Sequence, residues 1–144
     1  MIKVTELQIG DWVQNPLGWK AQVQSIRYVN TIKDEWEWLV KIGLNSETFQ
    51  NNLSLNEIDP IPLTSEMLEK NGFTQCEPQG YDLYVKSKEG AGLYHIFWQG
   101  EPYNYLEIAA YASPFGEFNK SNIKYVHELQ HALRLCGIEH EITL

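Results

Sequence analysis

The sequence has no cluster of lysine and arginine residues. Its 144 residues include 11 Lys and Arg against 19 Asp and Glu, which gives a formal net charge of −8 at pH 7. Because affinity for nucleic acid comes largely from ion pairs with phosphates, this balance argues against direct binding of DNA or RNA. An acidic surface keeps many small domains soluble, and it also suits a basic partner or a decoy of a nucleic-acid-binding protein.

Cysteines and long apolar runs are scarce as well. Cys76 and Cys136 are the only two cysteines, and their spacing fits neither a C-x-x-C pair nor a disulfide framework. No apolar run reaches the length of a signal peptide or a membrane span. Gly90-Ala91-Gly92 lacks the further glycine and the helix of a phosphate-binding loop. We therefore expect a cytoplasmic protein with no membrane contact and no nucleotide-phosphate loop.

The first half of the sequence predicts short strands separated by turns. Residues 35–43 alternate most clearly, with Trp36, Trp38, Val40 and Ile42 on one face and charged residues on the other. Short strands with frequent turns and many aromatic residues favour a small curled antiparallel sheet or an SH3-like barrel. The prolines of residues 59–62 then predict a stiff extended connector.

The second half of the sequence predicts one helix before and one helix after a group of strands. Thr64 is a suitable N-cap for a short helix over residues 65–71, which Gly72 ends. Between Phe73 and about Phe118, three runs with strand patterns are separated by turn signals, which predicts a three-stranded β-meander. Ser121 can cap an amphipathic C-terminal helix from about Asn122 to Cys136. The fold class is therefore α+β, with residues 1–144 forming a single domain or two lobes, 1–59 and 60–144.

One motif on the predicted C-terminal helix matches a catalytic pattern. Residues 127–131 read His-Glu-Leu-Gln-His, which is the H-E-x-x-H pattern of zinc proteases. In that pattern two histidines one helical turn apart share a zinc ion, and the glutamate activates a bound water. The alternative hypothesis is therefore a zinc-dependent hydrolase, with His127 and His131 as metal ligands and Glu128 as the catalytic residue.

Two features favour an ordinary amphipathic helix over this zinc site. At about 100° per residue, His127 and His131 point away from the apolar arc and toward a face that we expect to be solvated. Arg134 and Gly137 also occupy the positions that the extended motif gives to a glycine and a third histidine. The only nearby candidates for a third ligand are then Glu139, His140 and Glu141. We therefore predict neither a metal ion nor a catalytic residue on this helix.

Aromatic residues are dense between positions 98 and 118. These rings either fill the core of a small β-rich lobe or form a surface that anchors a partner or stacks on a base. The second interpretation makes five of them candidate binding residues: Trp98, Tyr103, Tyr105, Tyr111 and Phe115.

Three segments resemble an uncharacterised family of small proteins from gut anaerobes and their phages and mobile elements. Residues 6–13 resemble its E-L-R-I-G-N-x-V start, and residues 60–73 resemble its P-I-P-L-T-E-E-W-L-L-K-F-G-F segment. Residues 125–130 are similar to its Y-V-H-Q-L-Q ending. In that family Gln replaces Glu128 and Asn replaces His131, which implies a structural helix. The phage association implies an accessory role such as antagonising host defence.

The hypothesis that combines these observations is a non-catalytic binding module. It would bind a host protein or sequester a small nucleotide-like ligand through the aromatic segment 98–118. The zinc hydrolase and the acidic decoy remain the alternatives, and bound metal or a steep salt dependence of partner binding would distinguish them.

Overall fold

The computed structural model describes residues 2–44, 50–76, 83–88, 93–110 and 117–144. Within it the chain forms two compact units, Met1–Ile61 and Pro62–Leu144. Antiparallel sheets dominate both units, and two α-helices lie in the second. The predicted α+β class is therefore present. Over the described part of the chain, no helix is both long and apolar enough to cross a membrane.

The first unit contains one five-stranded antiparallel sheet. Its strands are β1 Trp12–Gln14, β2 Lys20–Asn30, β3 Trp36–Gly43, β4 Gln50–Ser54 and β5 Asp59–Pro60. Their spatial order is β4, β3, β2, β1 and β5. Short 3₁₀ turns at Val4–Glu6 and Leu55–Glu57 precede β1 and β5. Strands β2 and β3 form the longest hairpin of this sheet, with paired residues from Gln22 and Gly43 to Asn30 and Trp36.

The alternation predicted for residues 35–43 is present in β3. Val40 and Ile42 are fully buried in the core of the first unit. Trp36 and Trp38 lie on the same face of the strand but remain exposed. The hydrophobic pattern therefore continues past the end of the core. Buried residues of this core come from three strands, β1 to β3, and from the segments beside the two 3₁₀ turns: Ile2, Leu7, Val13, Ala21, Val23, Val40, Ile42 and Ile58.

The second unit also has a five-stranded antiparallel sheet, in the order β10, β9, β8, β7 and β6. The predicted β-meander forms its centre, and a short strand is added at each edge. The bounds are β6 Thr74–Gln75, β7 Leu83–Lys88, β8 Tyr94–Gln99, β9 Tyr105–Ala110 and β10 Glu117–Lys120, with helices α1 Ser65–Lys70 and α2 Val126–Leu135.

Helix α1 agrees with its sequence signals. The hydroxyl of Thr64 accepts a hydrogen bond from the backbone N–H of Met67 at 3.3 Å, as expected for an N-cap. At the other end Gly72 has a φ of 83°. Glycine adopts this left-handed conformation without a steric penalty, so the helix ends where the sequence predicts.

Helix α2 begins at Val126, so the predicted start near Asn122 with Ser121 as its cap is wrong. Long-range hydrogen bonds hold the preceding residues out of the helix. The backbone N–H of Ile123 donates to the carbonyl of Asn104 at 2.8 Å, and the carbonyl of Lys124 accepts from Leu63 at 2.8 Å. Since these groups already have partners, the helix starts four residues later than local signals indicate.

The second sheet has one buried and one partly exposed face. Tyr84, Ile96, Leu106 and Ile108 are buried on the inner face. Side chains at the alternate positions point outward, because successive residues of a strand lie on opposite faces. The described residues of this outer face are Thr74, Val85, Ser87, His95, Phe97, Gln99, Tyr105, Glu107, Ala109, Glu117 and Asn119.

Candidate functional site

The glutamate of the H-E-x-x-H string caps helix α2. One carboxylate oxygen of Glu128 accepts hydrogen bonds from the backbone N–H groups of Lys124 and Tyr125, at 2.7 and 3.0 Å. The amides at the start of a helix have no partner within the helix, and a glutamate at the third helical position often satisfies them. This carboxylate is therefore held toward the backbone of its own helix.

His127 lies where the predicted solvated face should be, but it is only 4% exposed. The prediction that this face is solvated is therefore wrong for His127. Its ring stacks on Tyr125, with centroids 6.0 Å apart and an interplanar angle of 16°. Gln130 is buried as well, so α2 is covered over more of its circumference than a single apolar arc predicts.

The two histidines of the motif are neighbours on α2. The rings of His127 and His131 meet edge to face, with centroids 5.7 Å apart. His140, a candidate third ligand, lies beside the ammonium group of Lys86, which is 3.2 Å from its Nε2 atom. Among the described residues no group of three His, Cys, Asp or Glu side chains is arranged to hold a metal ion. The described geometry thus provides two adjacent histidines and a capping glutamate.

Lys86 of strand β7 and His140 of the C-terminal segment form a polar cluster. The Lys86 ammonium group donates to the backbone carbonyl of Asn71 at 2.5 Å and lies 5.9 Å from the centre of the Phe73 ring. Burial lowers the pKa of Lys86. Burial also lowers the pKa of His140, and the nearby positive charge of Lys86 lowers it further. Both groups are therefore less readily protonated than in water.

Of the five predicted aromatic binding residues, Trp98 lies in the core. It is only 6% exposed, and its indole N–H donates to the carbonyl of Ile123 at 3.1 Å. Tyr103, in contrast, is exposed. Tyr111 and Phe115 fall outside the described residues.

Tyr105 lines a shallow pocket on the outer face of the second sheet. The pocket has a volume of about 180 Å³ and is lined by Phe97, Gln99, Tyr105 and Glu107. These residues form two neighbouring cross-strand pairs of β8 and β9, Gln99 with Tyr105 and Phe97 with Glu107. Two aromatic rings, an amide and a carboxylate therefore line one small concave surface.

Neighbouring side chains hold the rings of this pocket in place. The hydroxyl of Tyr105 donates to the side-chain oxygen of Asn119 at 3.0 Å. His95 packs edge to face on Phe97, with centroids 4.4 Å apart, and its Nδ1 atom is hydrogen-bonded to the Ser87 hydroxyl. Anchored rings lose little side-chain entropy when a ligand binds.

Among the described outward positions of the second sheet, the charged Asp, Glu, Lys and Arg side chains are all acidic. Glu107 and Glu117 are its acidic members, and the outward positions described for β6 to β10 contain no Lys or Arg. Because Glu107 lies in the pocket itself, the electrostatic potential there favours a cation. The hydrogen-bonded pair of Ser87 and His95 has the residue types of a nucleophilic site. Among the described residues, however, Ser87 is exposed and does not lie in a cleft that would shield a reaction from water.

Sequence reasoning missed Phe97, Gln99 and Glu107 as pocket residues. Phe97 lies next to Trp98 in strand β8, but its side chain points to the opposite face of the sheet. The alternation of side chains along a strand could have identified this residue, because only one of two adjacent aromatic residues on a strand can face the core.

A second exposed aromatic surface lies in the first unit and was also missed. Tyr28 of β2 stands opposite Trp38 of β3, and Trp36 is the next residue on the same face.

No protein family, curated protein or solved structure matches the chain. The geometry of the described residues is therefore the basis for a functional proposal.

Proposed function

We propose that this protein is a non-catalytic binding module that captures a basic segment of a partner protein on the outer face of its second sheet. The observation that supports this function is the pocket of Phe97, Gln99, Tyr105 and Glu107. It combines aromatic rings with a carboxylate on a face whose described residues include no Lys or Arg.

The chemistry of the pocket matches the side chain of arginine. A guanidinium group is planar, so it can stack on Phe97 or Tyr105 through a cation–π interaction. Its five N–H donors match the carboxylate oxygens of Glu107 and the amide oxygen of Gln99. Lysine supplies the same charge without the planar fork, so we expect arginine to bind more tightly.

A nucleotide-like ligand fits this surface less well than a basic segment does. A base could stack on Tyr105, but its phosphates would then lie close to Glu107. Since like charges repel, such a ligand would need basic residues that the described outer face does not provide. An acidic decoy shares the preference for a basic partner but depends on spread charge, not on this pocket.

The resemblance of three segments to a family from phages and mobile elements supports a host protein as the partner. Within that proposal the protein acts in the cytoplasm as an accessory factor that antagonises host defence. The antiparallel sheet of Met1–Ile61 is compatible with an SH3-like barrel, which we propose as its finer classification.

Short peptides test the pocket directly. We expect octa-arginine to bind more tightly than octa-lysine, and octa-glutamate not to bind, in calorimetric titrations at several salt concentrations. Glu107→Gln and Phe97→Ala should each weaken arginine binding about three- to tenfold, because each removes one partly exposed cation contact.

Glu139→Gln is the matched control, because it removes the same charge from an exposed position of the same unit. Equal weakening by Glu139→Gln and Glu107→Gln would indicate binding by net charge alone and would support the decoy. No binding of octa-arginine to the unmodified protein would refute the proposed function.

A further inference from the structure

The hairpin of β2 and β3 carries three exposed aromatic rings on one face. Tyr28 is 53% exposed, Trp36 60% and Trp38 37%. The Tyr28 ring lies 5.3 Å from Trp36, with planes 26° apart, and 4.9 Å from Trp38. These three rings form the aromatic platform. Together they expose on the order of 300 Å² of surface, which is comparable to the largest, often functional, apolar patch of a typical monomer.

The platform is not needed to complete the core of its unit. Farther along the same face, Ile26 and Val40 form the next directly opposed pair, and Val40 is fully buried while Trp36 is mostly exposed. The rings therefore begin where the core ends. Leaving this much aromatic area in water is unfavourable, and a partner that covers the rings would remove this cost.

Charged residues of the hairpin lie away from the platform. Between Ile26 and Asn30 on β2, and between Trp36 and Val40 on β3, the platform face has no charged residue. Arg27 and Glu37 alternate to the other face. The turn beyond the platform carries both signs, Lys33 with Asp34 and Glu35. A cation on these rings would have no carboxylate on this face to pair with, unlike in the pocket of Glu107, and an anion would have no basic group. The face therefore favours an uncharged occupant.

Hydrogen-bonding capacity narrows the class of occupant further. The indole N–H is a donor only, and the Tyr28 hydroxyl can donate as well. Each donor needs an acceptor when it is covered. A polyproline II helix has no internal hydrogen bonds, so its carbonyls are available as acceptors. Proline also has no N–H that would remain without a partner against an aromatic ring.

We propose that the aromatic platform binds an uncharged, proline-rich segment of a partner protein in the polyproline II conformation. Proline rings stack on Trp36 and Trp38, and backbone carbonyls accept from the indole N–H groups. The segment is already extended before it binds, so little conformational entropy is lost. This surface lies in the first unit and uses a chemistry different from that of the outer face of the second sheet.

The test is an NMR titration of the full chain with decaproline, followed through the tryptophan indole N–H signals. Signals of Trp36 and Trp38 should shift in a saturable way. The Trp98 signal is an internal reference, because its N–H is buried and bonded to Ile123. Trp36→Ala should weaken decaproline binding at least about tenfold, whereas Leu17→Ala, another exposed apolar position of the same unit, should leave it unchanged.

Four results would overturn the proposal. The first is no shift up to millimolar decaproline, and the second is unchanged affinity in Trp36→Ala. The third is a shift with a neutral oligosaccharide such as maltohexaose but not with decaproline, which would assign the platform to sugars. The fourth is a shift of Trp36 and Trp38 on concentrating the protein alone, which would assign it to a second copy of the chain.

Discussion

The side-chain amide of Asn71 hydrogen-bonds to both backbone groups of Thr143. Its nitrogen donates to the Thr143 carbonyl at 2.7 Å, and its oxygen accepts the Thr143 N–H at 2.8 Å. The nitrogen also donates to the carbonyl of Met67, at 2.8 Å. One buried side chain thus joins the end of helix α1 to the C-terminal segment, in the way that paired residues of a β-ladder exchange two bonds.

We predict that Asn71→Ala lowers the free energy of unfolding by about 2–3 kcal/mol, because the three hydrogen bonds of this buried side-chain amide are lost. Asn71→Asp should have a similar effect, since it keeps the acceptor but loses both donated bonds. Urea denaturation measures the change. The control Gln75→Ala, at an exposed position of the same unit, should change stability little. A loss no larger than that of the control would contradict this role of Asn71.

The contact between Lys86 and His140 predicts that stability falls at mildly acidic pH. Burial and the charge of Lys86 lower the pKa of His140 below its ordinary value of 6.5. The unfolded chain therefore takes up a proton at a higher pH than the folded protein does. This contribution is fully present above about pH 6.5 and is lost as the pH falls toward the lower folded-state pKa.

The variant His140→Gln tests this pH dependence. Between pH 7 and pH 5 the unfolding free energy of the variant should fall less steeply than that of the unmodified protein. His95→Gln, which removes a histidine from the outer face of the second sheet, serves as the control and should retain the steeper fall. Parallel curves for His140→Gln and the unmodified protein would argue against a role for this contact.

The capping bonds of Glu128 give a prediction about helix α2. Glu128→Ala should destabilise the protein by about 0.5–2 kcal/mol, the usual cost of losing a helix cap. Thermal unfolding measures this change, and Glu139→Ala provides an exposed control outside the helix. The zinc hydrolase predicts something different, namely zinc stabilisation of the unmodified protein that disappears in His131→Ala. That outcome would restore the metal site as an explanation of the motif.

Trp98 and Tyr105 should respond differently to truncation. Trp98→Ala removes a buried ring and should cost about 3–5 kcal/mol of stability. Tyr105→Ala should cost much less and should instead weaken peptide binding at the outer face. Circular dichroism with urea gives stability, and calorimetry with octa-arginine gives affinity. A Trp98→Phe variant that folds and binds normally would separate the core role from a direct contact, whereas impaired binding with intact stability would contradict the core role.

Local signals predicted some elements well and others poorly. Helix α1 was predictable because Thr64 and Gly72 act on residues within one turn of the chain. The start of α2 was not, because the bond between Ile123 and Asn104 joins positions that the sequence does not show to be neighbours. Tertiary hydrogen bonds therefore decided where the second helix begins.

The candidate pocket was only partly predictable for a related reason. The aromatic density around Tyr105 drew attention to the correct strand, but alternation alone does not tell which face of a sheet another layer covers. Trp98 and Phe97 are adjacent aromatic residues, and only the packed structure shows that Trp98 is the core member. In the same way, Trp36 and Val40 share a face, but the sequence does not show where the core stops.

The position of the aromatic platform beyond the core has an evolutionary consequence. Changes at Tyr28, Trp36 or Trp38 remove few contacts that the fold requires, so selection can alter this surface without first compensating for lost stability. Substitutions at Val40 or Ile42 on the same face have no such freedom. Homologues should therefore keep the buried half of the hairpin and vary its exposed half as their partners change.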